Sequence, residues 1–419
     1  MIRMPPTILA PYRVLDLTDE SGFLCGKILA DLGADVIKVE APGGDAARML
    51  GPFPGDKLDR NKSLYWIGYN VGKRGITLNP ESSSGRELLR KLALRADFLI
   101  ETFPPGLLDR HDLDFETLRK LNPRIIVVSI TPFGQTGPYS SYKGGDLVAM
   151  AMSGLMSLIG EPGETPLRVS FPQSPMWSGM YAAAGALTAH YFRESTGIGQ
   201  HVDVSAQSSL LWALANGPAF WATNRTSPPR GGSRITGRSM TGARMRAIYE
   251  CKDGYLNFII YGGKAGRRSN QALVEWIAEH GLASQALLIK DWNSFGIEFS
   301  TQEEIDEIEA PTAKLFKLYT KAEFLEQAFK REMLGYPVAN ARDILEDRHL
   351  QDRDFWQDVD EARFGIPVKL PGLFARFSEA IPSGLLTAPD IGQHNREIYE
   401  GEIGLSKEEL ARLVEEKIV

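Results

Sequence analysis

The residues best placed to do chemistry lie in positions 165–205, TPLRVSFPQSPMWSGMYAAAGALTAHYFRESTGIGQHVDVS. The stretch reads as a loop ending in Pro-Gln-Ser-Pro, then a helix rich in small residues, then a glycine-punctuated turn into a strand. Gly179, Ala182, Ala183, Ala186 and Ala189 fall at helical spacing, so one face of this helix lets other backbone come close. A helix N-terminus favours negative charge, which makes the residues just before it a natural place for an anion or a nucleophilic carboxylate. Ser174 and Pro175 hold that place, and neither is a carboxylate. Other familiar chemistries find no footing. There is no GxSxG elbow, no GxxxxGK[ST] loop, no HExxH and no DxDxDG. The six histidines (His111, His190, His201, His280, His349, His394) are scattered. Cys25 and Cys251 are far apart with no metal-ligand spacing, and both read as buried thiols. No metal is expected.

The elements that must position this stretch begin at the N-terminus. Residues 12–18 (YRVLDLT) read as a strand, residues 23–32 as a helix closed by Gly33, and residues 34–40 (ADVIKVE) as a second strand. Strand, helix, strand within about 30 residues is a βαβ unit and implies a parallel sheet. The loop after the first strand lacks GxGxxG, which weakens a nicotinamide-dinucleotide reading. The alternation continues through a helix at 84–96, a strand at 97–101 (DFLIE), a short helix at 115–121 and a strand at 124–131 (RIIVVSIT). That last run is apolar enough to be buried on both faces. Residues 216–246 are polar and basic, either a flexible connection or a loop closing over an anionic ligand. Residues 248–261 carry a hairpin signature around Lys252-Asp253-Gly254, and helices follow to about 329. The chain ends in an amphipathic helix, with Ser406 as N-cap and Glu409 completing a capping box.

Composition narrows the class. At 419 residues the chain exceeds one ordinary core, so two domains are expected. A net charge of −6 gives no electrostatic case for nucleic acid. No run of about 18 apolar residues exists, so no membrane span is expected, and the N-terminus lacks a signal-peptide pattern, which argues for the cytoplasm.

Taken together, the segments RVLDLT, LGADVIKVEAPGGDAAR, NVGKRGITLN, ADFLIETFPPG, NPRIIVVSITPFGQTGPY, DLVAMAMSGLM, RESTGIGQHVDVS, YECKDGYL and DIGQHNREIY resemble the family III CoA-transferases. That group includes formyl-CoA, carnitine and benzylsuccinate CoA-transferases, and methylacyl-CoA racemases share its fold. The segments occur in family order over nearly the whole chain. The resemblance implies an α/β fold: a Rossmann-like large domain built from both chain ends (residues 1–215 and 331–419) and a smaller α+β middle domain (216–330). It also implies an open ring interlocked with a second subunit, with active sites at the subunit junction.

In the transferases an aspartate attacks the acyl-CoA thioester, and CoA then moves through an anhydride and an aspartyl-CoA thioester. The aspartate belongs to a Gly-Asp-x-x-x-Gly loop ahead of the small-residue helix. Aligned on Gly179 and RESTGIGQHVDVS, that Gly-Asp pair falls on Ser174-Pro175, so the nucleophile is missing. The racemase histidine position is Gly145, which removes that chemistry as well. Asp146 is the best carboxylate left near the site, with the cap of its own helix as its structural role. The resemblance places CoA against Phe103, Arg110 and Lys143, and against Lys73 and Arg74. Elsewhere phosphate-binding cations are lost, at Ala41, Glu81 and Pro104. RGGSR at 230–234 is the nearest match to the family's glycine-rich flap. Phe171, Trp177 and Tyr181 could serve an acyl pocket or the core.

The expectation is therefore the aspartate-lacking subunit of a heteromeric CoA-transferase acting on succinyl-CoA and a carboxylic acid. An aromatic dicarboxylate such as benzylsuccinate is the suggested acceptor. The nucleophile comes from a paralogous partner, and CoA thioesters are substrates with no tightly bound cofactor. The alternatives are an active homodimer using Asp146 or Glu161, and a non-enzymatic acyl-CoA-binding protein.

Overall fold

Each apolar run of the first half becomes a strand of one sheet: β1 (Arg13–Leu17), β2 (Asp35–Glu40), β3 (Arg74–Thr77), β4 (Phe98–Glu101), β5 (Ile126–Thr131) and β6 (His201–Ser205). They line up in the order β3-β2-β1-β4-β5-β6, every neighbour parallel. The computed structural model describes residues 7–214, 216–359, 361–366, 368–379 and 387–419. Alternate residues of a strand face opposite ways, and both faces here are apolar. On one face Val14, Phe98, Ile126 and Val128 pack against α1 (Phe23–Asp31) and the long helix Ser174–Thr196. On the other, Leu15, Ile76, Leu99 and Val127 meet leucines of the helices Ser83–Ala93, Phe115–Leu121 and Lys407–Glu415. This is a doubly wound α/β sheet. Counting the helices in order gives α2 (Leu64–Asn70), α3 (Ser83–Ala93), α4 (Leu107–Arg110), α5 (Phe115–Leu121), α6 (Asp146–Met152) and α7 (Ser174–Thr196).

The small residues of α7 do what their spacing implies. Gly179, Ala182, Ala183, Ala186 and Ala189 are all buried. A Cβ on Gly179 would stand 2.8 Å from the Leu24 side chain of α1, so a larger residue would push the two helices apart.

The chain returns to the sheet at its far end. Gly75 of β3 exchanges hydrogen bonds with His394: its N–H donates to Nδ1 at 3.0 Å, and its carbonyl accepts from the His394 N–H at 2.9 Å. Thr77 N–H donates to Asn395 Oδ1 at 2.8 Å, and the Thr77 carbonyl accepts from the Tyr399 hydroxyl at 2.8 Å. The outer edge of β3 is thereby covered. Ser406 caps the final helix and Glu409 completes the capping box.

Two compact units result. The first comprises Met1–Leu155, Val169–Ala215 and Gln351–Val419, the second Met156–Arg168 and Asn216–Leu350. The sequence-based bounds 216–330 and 331–419 need correction. Residues 331–350 stay with the second unit, because the strand Gly335–Pro337 pairs with Gly254–Phe258 of the hairpin. Lys321 and Asp343 add an ion pair within the same unit. The hairpin joins Ile248–Cys251 to Gly254–Phe258, and the unit's core gathers Trp276, Phe316 and Phe324. Cys251 on this hairpin is only partly buried, unlike Cys25, whose thiol burial pushes up.

Candidate functional site

Helix α7 starts at Ser174, with Pro175 in its first turn. Proline suits that position because its missing N–H has no partner there in any helix. Ser174 is 5% exposed, and Pro175 is buried with it. The anion-favouring end of the helix is already filled. Asp146 Oδ1 accepts from the N–H of Gln173 and from that of Ser174, each at 2.7 Å. This corrects the role expected of Asp146. It opens α6 as that helix's first residue, and the cap position of α6 is Gly145, with no side-chain cap bond. The carboxylate crosses to α7 and caps it from outside. A carboxylate oxygen that already accepts two amide N–H groups has its lone pairs committed and is a poor attacking group. Asp146→Ala should cost about 0.5–2 kcal/mol, in the range of a lost helix cap, and Asp146→Asn less, read from denaturant midpoints.

Around this clasp the structure places Tyr65 and Tyr69, which the sequence did not single out, and the aromatic residues Phe171, Trp177 and Tyr181, which it did. The Tyr69 hydroxyl of α2 donates to Met176 Sδ at 3.4 Å. Burial pushes the Tyr65 phenol up, reinforced by Tyr69 and by the carboxylates Glu20, Asp19 and Asp146. Phe171 is 75% exposed, and Trp177 stacks on Tyr181, which meets Trp212 on an open face. These aromatic residues are not core.

The strand order reverses between β1 and β4, and the crevice beyond their C-terminal ends is where open α/β sheets hold ligands. Asp19 N–H, after β1, donates to Thr102 Oγ1, after β4, at 2.8 Å and ties the two loops together. Phe103 follows, half-buried, and Arg110 ends α4 exposed on the same connection. Lys143 is exposed three residues before Asp146. The expected contacts Lys73 and Arg74 are placed differently. Lys73 is 0% exposed; its Nζ donates to Asp16 Oδ2 at 2.8 Å and to the Phe23 carbonyl at 3.1 Å. Lys38 approaches the other Asp16 oxygen at 3.8 Å. Burial alone would raise the Asp16 carboxyl, but Lys73, Lys38 and the Thr18 hydroxyl outweigh it and hold it below the ordinary carboxylate range. Arg74 is spent on Asp35, Glu397 and Glu402 at 2.6–2.7 Å. Both cations hold the fold together, and neither is offered to a phosphate.

Glu161, the other candidate carboxylate, belongs to the second unit and anchors the RGGSR segment. Its Oε1 accepts from Ser233 N–H at 2.8 Å, and that bond holds its carboxyl low. Gly232, at φ +57°, passes so close that a Cβ would stand 2.3 Å from the carboxylate.

A cavity of about 340 Å³ opens on the sheet face opposite α7, lined among others by Glu101, Phe103, Phe115, Ser129, Gln135 and His201. Ser129 Oγ lies 2.9 Å from His201 Nε2 and also bonds Glu101. Because the acid meets the serine and not the far imidazole nitrogen, this is no hydrolytic triad. Glu101 is 3% exposed, and burial raises its carboxyl from the ordinary 4.5 to about 7, against the pull of Ser129 and of the Phe103 N–H at 2.6 Å. Between those values the folded chain keeps a proton that the unfolded chain has released. The stabilisation is complete below about pH 4.5 and is lost as pH rises through about 7, a change of about 3 kcal/mol. Glu101→Gln, which cannot titrate, should flatten that part of the stability–pH curve and leave the variant the more stable chain at pH 8. Urea unfolding across pH 5–8 measures it.

The model of CoA-transferase family III matches residues 9–395. The chain belongs to that family. Among its relatives is the BbsE subunit of succinyl-CoA:(R)-benzylsuccinate CoA-transferase of Thauera aromatica, 34% identical over 92% of each chain. Formyl-CoA:oxalate CoA-transferase of Streptomyces avermitilis is 32% identical, over 97% of this chain and 98% of its own. A CaiB/BaiF family protein from Brucella suis superposes with TM-score 0.79 at 29% identity, over 95% of this chain and 100% of its own.

As a family III CoA-transferase the chain has a doubly wound sheet, with Ser174 and Pro175 opening α7. The resemblance pointed to that helix end. It did not locate Glu101, whose only sequence signal is an acid ending a strand beside the sheet's reversal point. Nor did it show that Asp146 reaches across to α7, since sequence separation hides such a contact. Among the described residues no helix is long and apolar enough to cross a membrane, and no cluster of three or more His, Cys, Asp or Glu could hold a metal.

Proposed function

We propose that this chain is the non-nucleophilic subunit of a heteromeric family III CoA-transferase, with the catalytic aspartate supplied by a paralogous partner. The observation that carries the reading is the α7 N-terminus, where Pro175 is buried and Asp146 holds the Gln173 and Ser174 amides. The BbsE relative, itself a subunit by name, supports it. In this reading the partner's aspartate attacks the succinyl-CoA carbonyl, the C–S bond breaks, and CoA leaves as thiolate. The thiolate attacks the aspartyl carbonyl of the mixed anhydride and releases succinate, leaving an aspartyl-CoA thioester. The acceptor carboxylate then displaces CoA from that thioester, and the thiolate returns to the acceptor carbonyl of the second anhydride, regenerating the aspartate. Both intermediates are activated acyl groups, so no ATP is needed.

The acceptor in this reading is an aromatic dicarboxylate such as benzylsuccinate, and the reaction is cytoplasmic. CoA is a substrate, not a resident cofactor, and on this subunit its contacts are confined to Phe103, Arg110 and Lys143. The deciding experiment is purification with and without a paralogue carrying Gly-Asp at the Ser174-Pro175 position. CoA exchange from succinyl-CoA should need both chains, and robust exchange by this chain alone overturns the proposal.

A further inference from the structure

The cover over the outer edge of β3 begins with a side chain that can titrate. The Gly75 N–H donates to His394 Nδ1 at 3.0 Å, so that nitrogen offers a lone pair and the neutral ring carries its proton on Nε2. The backbone closes the pair in the other direction, His394 N–H donating to the Gly75 carbonyl at 2.9 Å. A Cβ on Gly75 would stand 2.7 Å from Pro389, so glycine is what lets the returning segment lie directly on the strand. Two residues along, the contacts are of another kind. Thr77 N–H donates to Asn395 Oδ1 at 2.8 Å, and Asn395 Nδ2 donates to Thr77 Oγ1 at 2.7 Å. The Tyr399 hydroxyl donates to the Thr77 carbonyl, and burial pushes that phenol further above its ordinary range. Only the Gly75 bond depends on a group that changes charge near neutral pH.

The charged groups around the imidazole are Arg74 of β3, Asp35 of β2 and Glu397 of its own segment. Arg13 of β1 and Glu402 complete that network on Asp35 and Arg74. Asp35 and Glu397 favour a proton on the ring, but both are bound to Arg74, at 2.7 and 2.6 Å. Asp390, ahead of the turn, faces Arg363, and Arg396 faces Glu400. Burial, aided by Arg74, therefore prevails and holds the imidazole below its ordinary 6.5. We propose that His394 is a proton-sensitive clasp on the sheet edge: a proton on Nδ1 points at the Gly75 N–H, donor against donor, and opens the edge at Gly75 while Thr77 stays paired. The folded chain resists a proton that the unfolded chain takes up. The clasp thus contributes fully above about pH 6.5 and is lost as pH falls below it. An edge amide released in this way is a docking point for another chain's backbone. The clasp lies apart from the α7 N-terminus and is independent of the transfer chemistry.

The test is amide-resolved hydrogen exchange on the full chain at about pH 7.5 and about pH 5.5, corrected for the intrinsic pH dependence of exchange. Protection of the Gly75 amide should fall about fivefold or more at the lower pH, the scale of one net hydrogen bond. The Thr77 amide should change by about twofold at most, since its acceptor does not titrate. His394→Gln offers a carbonyl acceptor without a titratable nitrogen, and Gly75 protection in it should be the same at both pH values. Nitrogen NMR of the ring gives a second reading that needs no variant. Nδ1 should be bare at about pH 7.5 and should gain its proton in step with the loss of Gly75 protection. Unchanged Gly75 protection at the lower pH, an equal loss at Thr77, the same pH response in His394→Gln, or a proton already on Nδ1 at about pH 7.5 would each overturn the proposal.

Discussion

Lys73→Met is expected to lower the stability of the chain by about 3 kcal/mol, at the lower end of the range for breaking a buried ion pair. The substitution keeps the side chain's bulk and removes only its charge. Asp16, 0% exposed, would then face the interior with Lys38 as its remaining cation, 3.8 Å from one oxygen. Lys38 cannot fully replace Lys73, because its Nζ is also engaged by the Thr18 carbonyl. The comparison is Lys57→Met, an exposed lysine whose loss should lie within about 0.5 kcal/mol of neutral. Equilibrium unfolding in urea separates the two. If Lys73 served CoA and not the core, its substitution would change affinity and leave the unfolding midpoint where it was. That outcome would restore the sequence-based assignment.

The second large effect concerns turnover. Alone, the chain is expected to exchange CoA at least ~10³-fold more slowly than the pair, the scale of losing a covalent nucleophile. Borohydride, which traps an aspartyl thioester, should inactivate the pair through the partner only. Pro175→Asp tests the same point from inside the chain. It puts a carboxylate on the first turn of α7, where Asp146 already holds the two leading amides. Two like charges at one helix end disfavour joint ionisation, so the new group would be held partly protonated and weakly nucleophilic. Rescue below about 1% of the pair's rate is expected on that argument. Rescue to the pair's level would show that residue 175 alone separates this chain from an active subunit.

The fold was readable because its signals are local. The runs RVLDL, DVIKVE and IVVSIT became parallel strands, and the Ser406–Glu409 capping box formed as spelled. The small-residue face of α7 was readable for the same reason: helical spacing states which side is buried. The site was less so, because its decisive contacts join residues far apart in the chain. Lys73 and Asp16 are 57 positions apart, and nothing near either names the other. A basic pair beside a strand suits a phosphate as well as a buried acid, and only the depth of the site distinguishes them. Asp146 shows the same limit, since Asp at a helix start suggests a local cap while the carboxylate serves a helix 28 positions on. The boundary at 351 was missed because Gly335–Pro337 is too short a strand to announce its partner.

The covering of β3 by residues 394–399 has a consequence for biosynthesis. Until that segment leaves the ribosome, the nascent sheet carries an open edge with the N–H groups of Gly75 and Thr77 and the Thr77 carbonyl unpaired. Such an edge is a template for another chain's backbone. More than three hundred residues must be translated between the exposure of this edge and its closure, which is when chaperone holding matters most.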